Sequence, residues 1–515
     1  MKLKNRAVAL VGVLALLSLG ACGSGSKTAS DEYDSGDTLV IADETQPLSG
    51  LDPIMAQAHD AKRVVSQLYE GLLRLGEDGR TVEPALASDW EMKSPTVYEF
   101  QLREGVTFHD GSELTAADVV FSLERVIDPD QNSPYRSLYR IKSVTAPAED
   151  RVVIELSRPQ ASLPRLLAQP WSGGIVNQKW VESVSEDEIK TQANGTGPYR
   201  LDQFKEGSTI STSAFEDYWD GAPEIKTVEY RVMPDESTRV QALRSGAIHM
   251  TQIRLTKNKQ ELEKSGYEMG ESYFVGSYWL ALNMKEGPLS DERVRRAVSL
   301  GVDRNQLIEI GSQGSGVPSG AVPPGDPFGS DTPDDMPYYE HDVEEAKRLL
   351  AEAGAKNVKL TLAIRSDSPE KIATAQLVKE QLAEIGVKVE IRQVEWSRLV
   401  SSILSGDWNA DMVQLTAALN ADPSQYLDLW FAEGGAATKV DDEALWQMMD
   451  EAVEGDLSDE ERTDAYAAIN HYIAEQAYIL VPYASVQVWE TWTPGLDFKA
   501  EPSNTRLLLH KATAK

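Results

Sequence analysis

A strand–helix–strand unit in the C-terminal half limits the folds open to this chain more than any other feature. Apolar and polar residues alternate over 358–364 and again over 387–391, which is typical of strands. Between them, residues 370–385 carry the apolar spacing of a helix that ends at Gly386. Two strands joined by a helix pair in parallel through a right-handed crossover. The sequence therefore predicts an open, mixed α/β sheet.

The residues at the carboxyl ends of these strands are candidate binding residues, because ligands of open α/β sheets bind there. Arg365 ends the first strand of the unit, and Thr416 and Asn420 follow a further predicted strand over 412–415. We expect Arg365 to hold a solute carboxylate through a bidentate contact. A surface arginine is the alternative.

Aromatic side chains supply further candidates. The chain has 11 Trp, and an aromatic-rich pocket can hold a solute by stacking. Trp279 lies in a predicted strand over 278–282, and Trp396 opens a helix directly after a strand; core packing is the alternative for each. Thr45 and Gln46, in the polar loop after the first predicted strand of the chain, complete the predicted substrate-binding set.

Length, charge and missing motifs exclude several classes of protein. At 515 residues the chain is too long for one ordinary core, so two or more domains are expected. Its net charge of −32 repels nucleic acid, which argues against a nucleic-acid partner. The 6 His form no HExxH or His-x-His pattern, and the sequence has no Gly-x-Ser-x-Gly or Walker motif. We therefore predict no metal site, no cofactor and no enzymatic activity.

The N-terminal segment predicts the compartment. Basic residues precede an apolar run over 7–19 that is too short to span a bilayer, and small residues then lead to Cys22, the single cysteine. This arrangement resembles the bacterial lipoprotein signal, which implies removal of residues 1–21 and acylation of Cys22; a plain secretory peptide is the alternative. Residues 22–37, rich in Gly, Ser and acidic residues, are predicted to be a flexible tether. The expected location is the outer face of the cell membrane, and a cell with a single membrane is favoured.

Several blocks of the sequence resemble the extracytoplasmic solute-binding proteins of family 5, the dipeptide, oligopeptide and nickel receptors of ABC importers. The longest is YEFQLREGVTFHDGSELTAADVVFSLERV at 98–126, in which Thr115 and Asp118 also predict a helix capping box. The remaining blocks fall in the family's order and are LDP at 51–53, GTGPYRL at 195–201, LNMKEGPLSDERVRRAVSLGVDR at 282–304, EEAKRLLAEAG at 344–354 and ADPSQYL at 421–427.

This resemblance implies a periplasmic-binding-protein-like fold (type II, cluster C) of two α/β lobes with a discontinuous larger lobe. Lobe I would comprise residues 38–275 plus 486–515, with an inserted subdomain at about 71–194, and lobe II would comprise residues 276–485. A small solute would bind between the lobes of a monomer. The closed form would dock on an ABC permease, which is served by ATPase subunits.

The resemblance implies peptides or peptide-like solutes as ligands, with one departure from the family's pattern. Peptide receptors of the family often carry an aspartate a few residues before the Asp-Pro motif, where it pairs with the α-ammonium group of the peptide. The positions before Asp422 and Pro423 hold Leu419, Ala417 and Gln414 instead. A receptor for a nickel chelate, an opine or another small organic solute is the first alternative. A non-transport lipoprotein and a hydrolase with this fold are the others.

Overall fold

The computed structural model describes residues 33, 38–44, 50–56, 59–323, 326, 328–329, 336–418, 422–433, 438–453, 457–502 and 505–515. The predicted signal peptide and most of the predicted tether lie outside these ranges, as do Cys22, Thr45, Gln46 and Asn420. Within the described ranges, no helix has the length and apolar character needed to cross a membrane.

Strands and helices are interspersed along the described chain. The strands are β1 (Leu39–Asp43), β2 (Leu73–Leu75), β3 (Val82–Pro84), β4 (Ala87–Ser94), β5 (Val97–Leu102), β6 (Ile141–Ala148), β7 (Arg151–Leu156), β8 (Tyr199–Lys205), β9 (Thr209–Ala214), β10 (Thr227–Val232), β11 (Met250–Ile253), β12 (Glu268–Leu282), β13 (Lys359–Arg365), β14 (Lys388–Val394), β15 (Met412–Ala418), β16 (Ile479–Trp492), β17 (Leu496–Asp497) and β18 (Thr513–Ala514). The helices are α1 (His59–Leu68), α2 (Ala116–Ile127), α3 (Leu163–Leu167), α4 (Pro170–Gly173), α5 (Gln178–Ser183), α6 (Glu186–Ile189), α7 (Glu236–Arg244), α8 (Thr256–Lys264), α9 (Glu292–Leu300), α10 (Arg304–Gly311), α11 (Val343–Glu352), α12 (Pro369–Glu384), α13 (Trp396–Leu404), α14 (Pro423–Phe431), α15 (Glu443–Glu451) and α16 (Asp459–Glu475).

A ten-stranded sheet runs through both lobes in the order β14-β13-β15-β12-β16-β11-β1-β10-β9-β8. The long strands β12 and β16 pair antiparallel at its centre. On one side of them β1 lies parallel to both of its neighbours, β10 and β11, and on the other β13 lies parallel to β14 and β15. A separate four-stranded sheet, β4-β5-β7-β6, lies within the predicted inserted subdomain. The predicted mixed α/β fold is confirmed.

The predicted strand–helix–strand unit is present as β13, α12 and β14. The two strands pair in parallel from Lys359 opposite Lys388 to Arg365 opposite Val394. Gly386 ends the crossover helix with φ +84°, a left-handed conformation that glycine adopts without steric cost. Arg365 therefore lies at the carboxyl edge of the sheet, as the sequence predicts.

The predicted capping box at the start of α2 is also present. The backbone N–H and the hydroxyl of Thr115 donate to Oδ2 of Asp118 at 3.0 and 2.7 Å. The box fixes the beginning of a helix whose buried residues Val119, Leu123 and Val126 belong to the core of lobe I.

The core of lobe I includes residues from both ends of the described chain. Leu39 and Ile41 of β1 belong to the same buried cluster as Trp492, Leu496 and Leu509 near the C-terminus. Burying these apolar groups together stabilises the return of the chain to lobe I. This packing is the physical basis of the discontinuous larger lobe.

The core of lobe II has two parts, one on each face of the sheet. Along β12, Trp279 and Ala281 belong to one buried cluster, and Tyr278, Leu280 and Leu282 belong to the other. The alternation follows from the two-residue period of a strand, because successive side chains point to opposite faces. Both faces of this strand are therefore covered.

The pairing of β12 with β16 is interrupted near its middle. Phe274 lies opposite Val486 and Ser277 lies opposite Ala484, with a shift of register between these pairs. A bulge of this kind disrupts the ladder locally and bends the strand. The predicted lobe boundaries, after residues 275 and 485, coincide with the interruption and stay predictions.

Candidate solute-binding site

A cavity of about 450 Å³ lies between the two lobes. Its first wall is formed by Lys62 of α1 and by residues between 134 and 162, all of lobe I. Its second wall is formed by α14 and by Val453, which belong to lobe II. A cavity with walls from two lobes is the usual place for a small-molecule site.

The start of α14 is fixed by a buried ion pair. Asp422 accepts from the Ser424 N–H at 3.0 Å and so caps the helix. It also accepts from Arg462 Nη2 at 2.5 Å and from the Tyr466 hydroxyl at 2.8 Å. Burial alone would raise the pKa of Asp422, but Arg462 and the hydrogen bonds from Ser424 hold the pKa below its usual value. The charge of Asp422 is therefore neutralised by Arg462, and the carboxylate holds the start of α14 in the second wall.

The side chain of Gln425, in the first turn of α14, is a polar group of that wall with unused hydrogen-bonding capacity. It lines the cavity and is 6% exposed. Neither its amide oxygen nor its amide nitrogen has a hydrogen-bond partner among the described residues. A buried polar group without a partner costs roughly 1–3 kcal/mol, so this amide is suited to receive a group from a bound solute.

Lys62 is the corresponding polar group of the first wall. Its ammonium nitrogen lies 5.4 Å from the ring centroid of Trp171 and 6.0 Å from that of Tyr135. Burial lowers the pKa of Lys62 from 10.5 to about 8. The next residue, Arg63, donates to both carboxylate oxygens of Glu490 at 2.8 and 2.9 Å, which fixes α1 against β16 and so positions Lys62.

Direct contacts join the two walls at the rim of the cavity. Arg140 Nη2 of lobe I donates to Asp428 Oδ2 of lobe II at 2.7 Å. The Ala161 N–H donates to the Val453 carbonyl at 3.3 Å. The lobes are therefore in contact beside the cavity in this structure.

Of the residues predicted from the sequence, Arg365 and Trp396 lie together. The guanidinium carbon of Arg365 is 4.5 Å from the ring centroid of Trp396. Arg365 also donates from Nε and Nη2 to the two carboxylate oxygens of Asp367 at 2.7 and 2.8 Å. A solute carboxylate would have to displace Asp367 to bind these two guanidinium donors. Neither Arg365 nor Trp396 belongs to the described lining of the cavity between the lobes.

The structure places Trp279 one layer behind the cavity wall. Its side chain is 0% exposed, and its ring centroid lies 5.9 Å from that of Tyr426, which lines the cavity, and 6.0 Å from that of Phe431. Trp279 is therefore packed in the core, which is the alternative named for this residue. Thr416 lies in β15 opposite Tyr278 of β12. Thr45, Gln46 and Asn420 lie outside the described residues.

Sequence reasoning missed Lys62 and Gln425, the two polar side chains of the cavity argued above to be open to a solute. The available signal for Lys62 was a lysine in the first turns of the helix that follows the first strand. The available signal for Gln425 was a glutamine two residues after the Asp-Pro pair that starts α14. The described residues contain no group of three or more His, Cys, Asp and Glu that could hold a metal ion.

Comparison with known proteins identifies the family. The model of the bacterial extracellular solute-binding proteins, family 5, matches residues 81–438. The oligopeptide-binding protein AppA of Bacillus subtilis is 26% identical over 459 residues, which is 83% of each chain. The di/tripeptide-binding protein 2 of Pseudomonas aeruginosa is 29% identical over 425 residues, 76% of this chain and 78% of that one. A solved structure of AgaA from A. tumefaciens R10, in complex with agropinic acid, has a TM-score of 0.76 and 26% identity, and the match covers 93% of this chain and 99% of that one. The chain belongs to the bacterial extracellular solute-binding proteins of family 5.

Proposed function

We propose that this protein is the lipid-anchored receptor of an ABC importer and that it captures peptides or peptide-like solutes in the cavity between its two lobes. The observation that carries the proposal is the unpaired amide of Gln425 inside that cavity. A peptide group has one N–H donor and one carbonyl acceptor, and the side-chain amide of glutamine can pair with both. The names of the two relatives, an oligopeptide-binding and a di/tripeptide-binding protein, support the same ligand class.

Capture would work by closure of the lobes. A solute that contacts both walls binds more tightly to the closed form and shifts the population towards it. The rim contacts between Arg140 and Asp428 and between Ala161 and Val453 would form as the walls approach. The interruption in the β12–β16 pairing supports a hinge at the predicted boundaries of lobe I (38–275 plus 486–515) and lobe II (276–485).

Delivery would require a tether and a membrane partner. We propose that Cys22 carries the lipid, that residues 22–37 are the tether, and that the closed receptor docks as a monomer on an ABC permease with its ATPase subunits. The family's extracellular description supports a position outside the cytoplasm. Replacing Cys22 by alanine should move the protein from the detergent phase to the aqueous phase in a phase-partition assay. A variant that stays in the detergent phase would contradict the anchor at Cys22.

The ligand class can be tested on the full-length chain. Solute that co-purifies with the protein would be identified by mass spectrometry, and its affinity measured by calorimetry. Gln425→Leu should weaken binding of a peptide solute about tenfold, the effect of one or two neutral hydrogen bonds. Gln447→Leu is the matched control, because Gln447 is exposed and its amide is bound to Glu451 at 2.8 Å. Absence of any bound peptide, in the purified protein and in titrations, would contradict the proposal.

A receptor for a small organic acid is the second candidate function. The observation that favours it is Lys62, a buried cation in the first wall of the cavity. The AgaA structure, solved with agropinic acid, has the same overall fold. The mass-spectrometric identification distinguishes this candidate from a peptide receptor.

A further inference from the structure

We propose that Lys62 binds a carboxylate of the captured solute, so that the receptor selects acidic solutes over their neutral counterparts. The proposal rests on the proposed function of the cavity and names the chemical class of its ligand. It concerns a residue of α1 that lies in the first wall of the cavity.

The charge of Lys62 is buried without an opposite charge in the described structure. The side chain is 6% exposed. Among the described residues no carboxylate lies within ion-pair distance of its nitrogen, which lies instead over the neutral aromatic rings of Trp171 and Tyr135. Buried lysines are found almost only with partners, so an unpaired one beside a cavity points to a partner that arrives from outside the chain.

Each of the other charged groups in the described cavity lining has a partner of opposite charge. Arg140 is bound to Asp428 at 2.7 Å, and Arg158 lies 3.8 Å from Asp450. Lys62 is thus the cation of the described cavity lining that no carboxylate balances. A solute with a carboxylate would balance it, whereas a solute ammonium placed nearby would be repelled.

The surroundings of Lys62 make this contact selective. An ammonium group offers three N–H donors and accepts no hydrogen bond, so it pairs with carboxylate oxygens better than with a neutral amide. The rings of Trp171 and Tyr135 hold the nitrogen away from bulk water, where charge–charge attraction would be weak. Burial lowers the pKa of Lys62 only to about 8, so the group still carries its charge at pH 7.

Paired probes test the selectivity directly. The probes are tripeptides in acid and amide pairs: Ala-Glu-Ala is paired with Ala-Gln-Ala, and each is used with a free or an amidated C-terminus. An equimolar mixture is passed over the immobilised full-length protein, and the retained peptides are quantified by mass spectrometry. The wild type should retain the acidic member of a pair about tenfold more than the neutral one, the scale of a charged hydrogen bond. Lys62→Met and Lys62→Gln should bring the ratio close to one.

Lys439→Met is the matched control. Lys439 also lies over a tryptophan, 5.0 Å from the ring centroid of Trp408, but it does not line the cavity. This variant changes the net charge by the same amount and should keep the tenfold ratio. Two variants at position 62 are used, and circular dichroism of each must match the wild type.

A second probe separates this inference from the peptide function. Glutarate and its neutral relative glutaramide are tested by their effect on the thermal unfolding midpoint. If no peptide is retained but glutarate stabilises the wild type and not Lys62→Met, the peptide function fails and the inference stands. If peptides are retained without an acidic preference, or with one that survives in Lys62→Met, the inference is overturned and the function stands. Failure of both probes overturns both proposals.

Discussion

Replacing Lys62 by methionine should make the solute-free protein more stable at pH 7. Burial lowers the pKa of Lys62 from 10.5 to about 8. At 1.36 kcal/mol per unit, the buried charge costs about 3 kcal/mol. The cation–π contacts of Lys62 with Trp171 and Tyr135 stabilise the charged folded state by roughly 0.5–1 kcal/mol each. Since methionine keeps the length of the side chain without its charge, the expected gain is about 1–3 kcal/mol in the free energy of unfolding.

The gain should depend on pH in a defined direction. The pKa of Lys62 is lower in the folded state, so between pH 8 and pH 10.5 the unfolded state holds more protons and the wild type becomes more stable as the pH rises. The cost of the charge is complete below pH 8 and disappears above pH 10.5. The advantage of Lys62→Met over the wild type should therefore shrink to about 1 kcal/mol or less by pH 10.

Urea unfolding followed by tryptophan fluorescence, at pH 7 and pH 10, measures this difference. Lys439→Met is again the control, because that lysine is partly exposed, and its effect should stay within about 0.5 kcal/mol at both pH values. A Lys62→Met protein that is less stable than the wild type at pH 7 would refute the reasoning. So would a gain that is the same at both pH values.

Three further substitutions test the structure around the cavity. Arg462→Met should lower the free energy of unfolding by about 3–5 kcal/mol in urea titrations, because it leaves the buried Asp422 carboxylate unpaired; a loss below 1 kcal/mol would contradict the ion pair. Asp326 accepts from the hydroxyl of Tyr426, a residue of the cavity lining, at 3.4 Å, and burial, with the neighbouring charge of Asp422, raises the pKa of Asp326 to about 8. Between about pH 4 and pH 8 the folded state therefore holds a proton that the unfolded state has lost, so Asp326→Asn should have little effect on the urea midpoint at pH 4 and should stabilise the protein increasingly towards pH 8. A pH-independent effect would exclude that cause. Arg140→Gln should weaken solute binding a few-fold in calorimetry through loss of the rim contact with Asp428, and a double-mutant cycle should give a coupling of about 1 kcal/mol or less, because Asp428 is partly exposed.

The local fold was predictable from the sequence because local patterns determine it. The alternation over 358–364, the helical spacing that follows and Gly386 were sufficient for the β13–α12–β14 unit, since each is a short-range signal. The capping box of Thr115 and Asp118 is equally local. The two-lobe arrangement came from the family resemblance, because the buried cluster that contains both Leu39 and Trp492 joins distant parts of the chain.

The candidate site was harder to predict for two physical reasons. The sequence of an all-apolar strand such as 278–282 does not show which elements pack on each of its two faces. Trp279 could therefore have faced either the cleft or the core. Side-chain pairing depends on rotamers, so the sequence could not show that Asp367 occupies the fork of Arg365. Lys62 and Gln425 line the same cavity only because two lobes meet there.

The sequence and the structure lead independently to the same view of the charge in this cavity. The sequence has Leu419, Ala417 and Gln414 before the Asp-Pro pair, where peptide receptors of the family often have a carboxylate for the ammonium group of a peptide. The structure shows that Asp422 cannot replace it, because its charge is bound to Arg462. A cavity whose described lining contains a buried ammonium and no carboxylate without a partner favours a solute whose carboxylate, and not its amine, is held by the protein. Peptide ligands of this receptor should therefore be bound through an acidic group, and peptides with a free N-terminus and no accessible carboxylate should be poor ligands in the tripeptide competition.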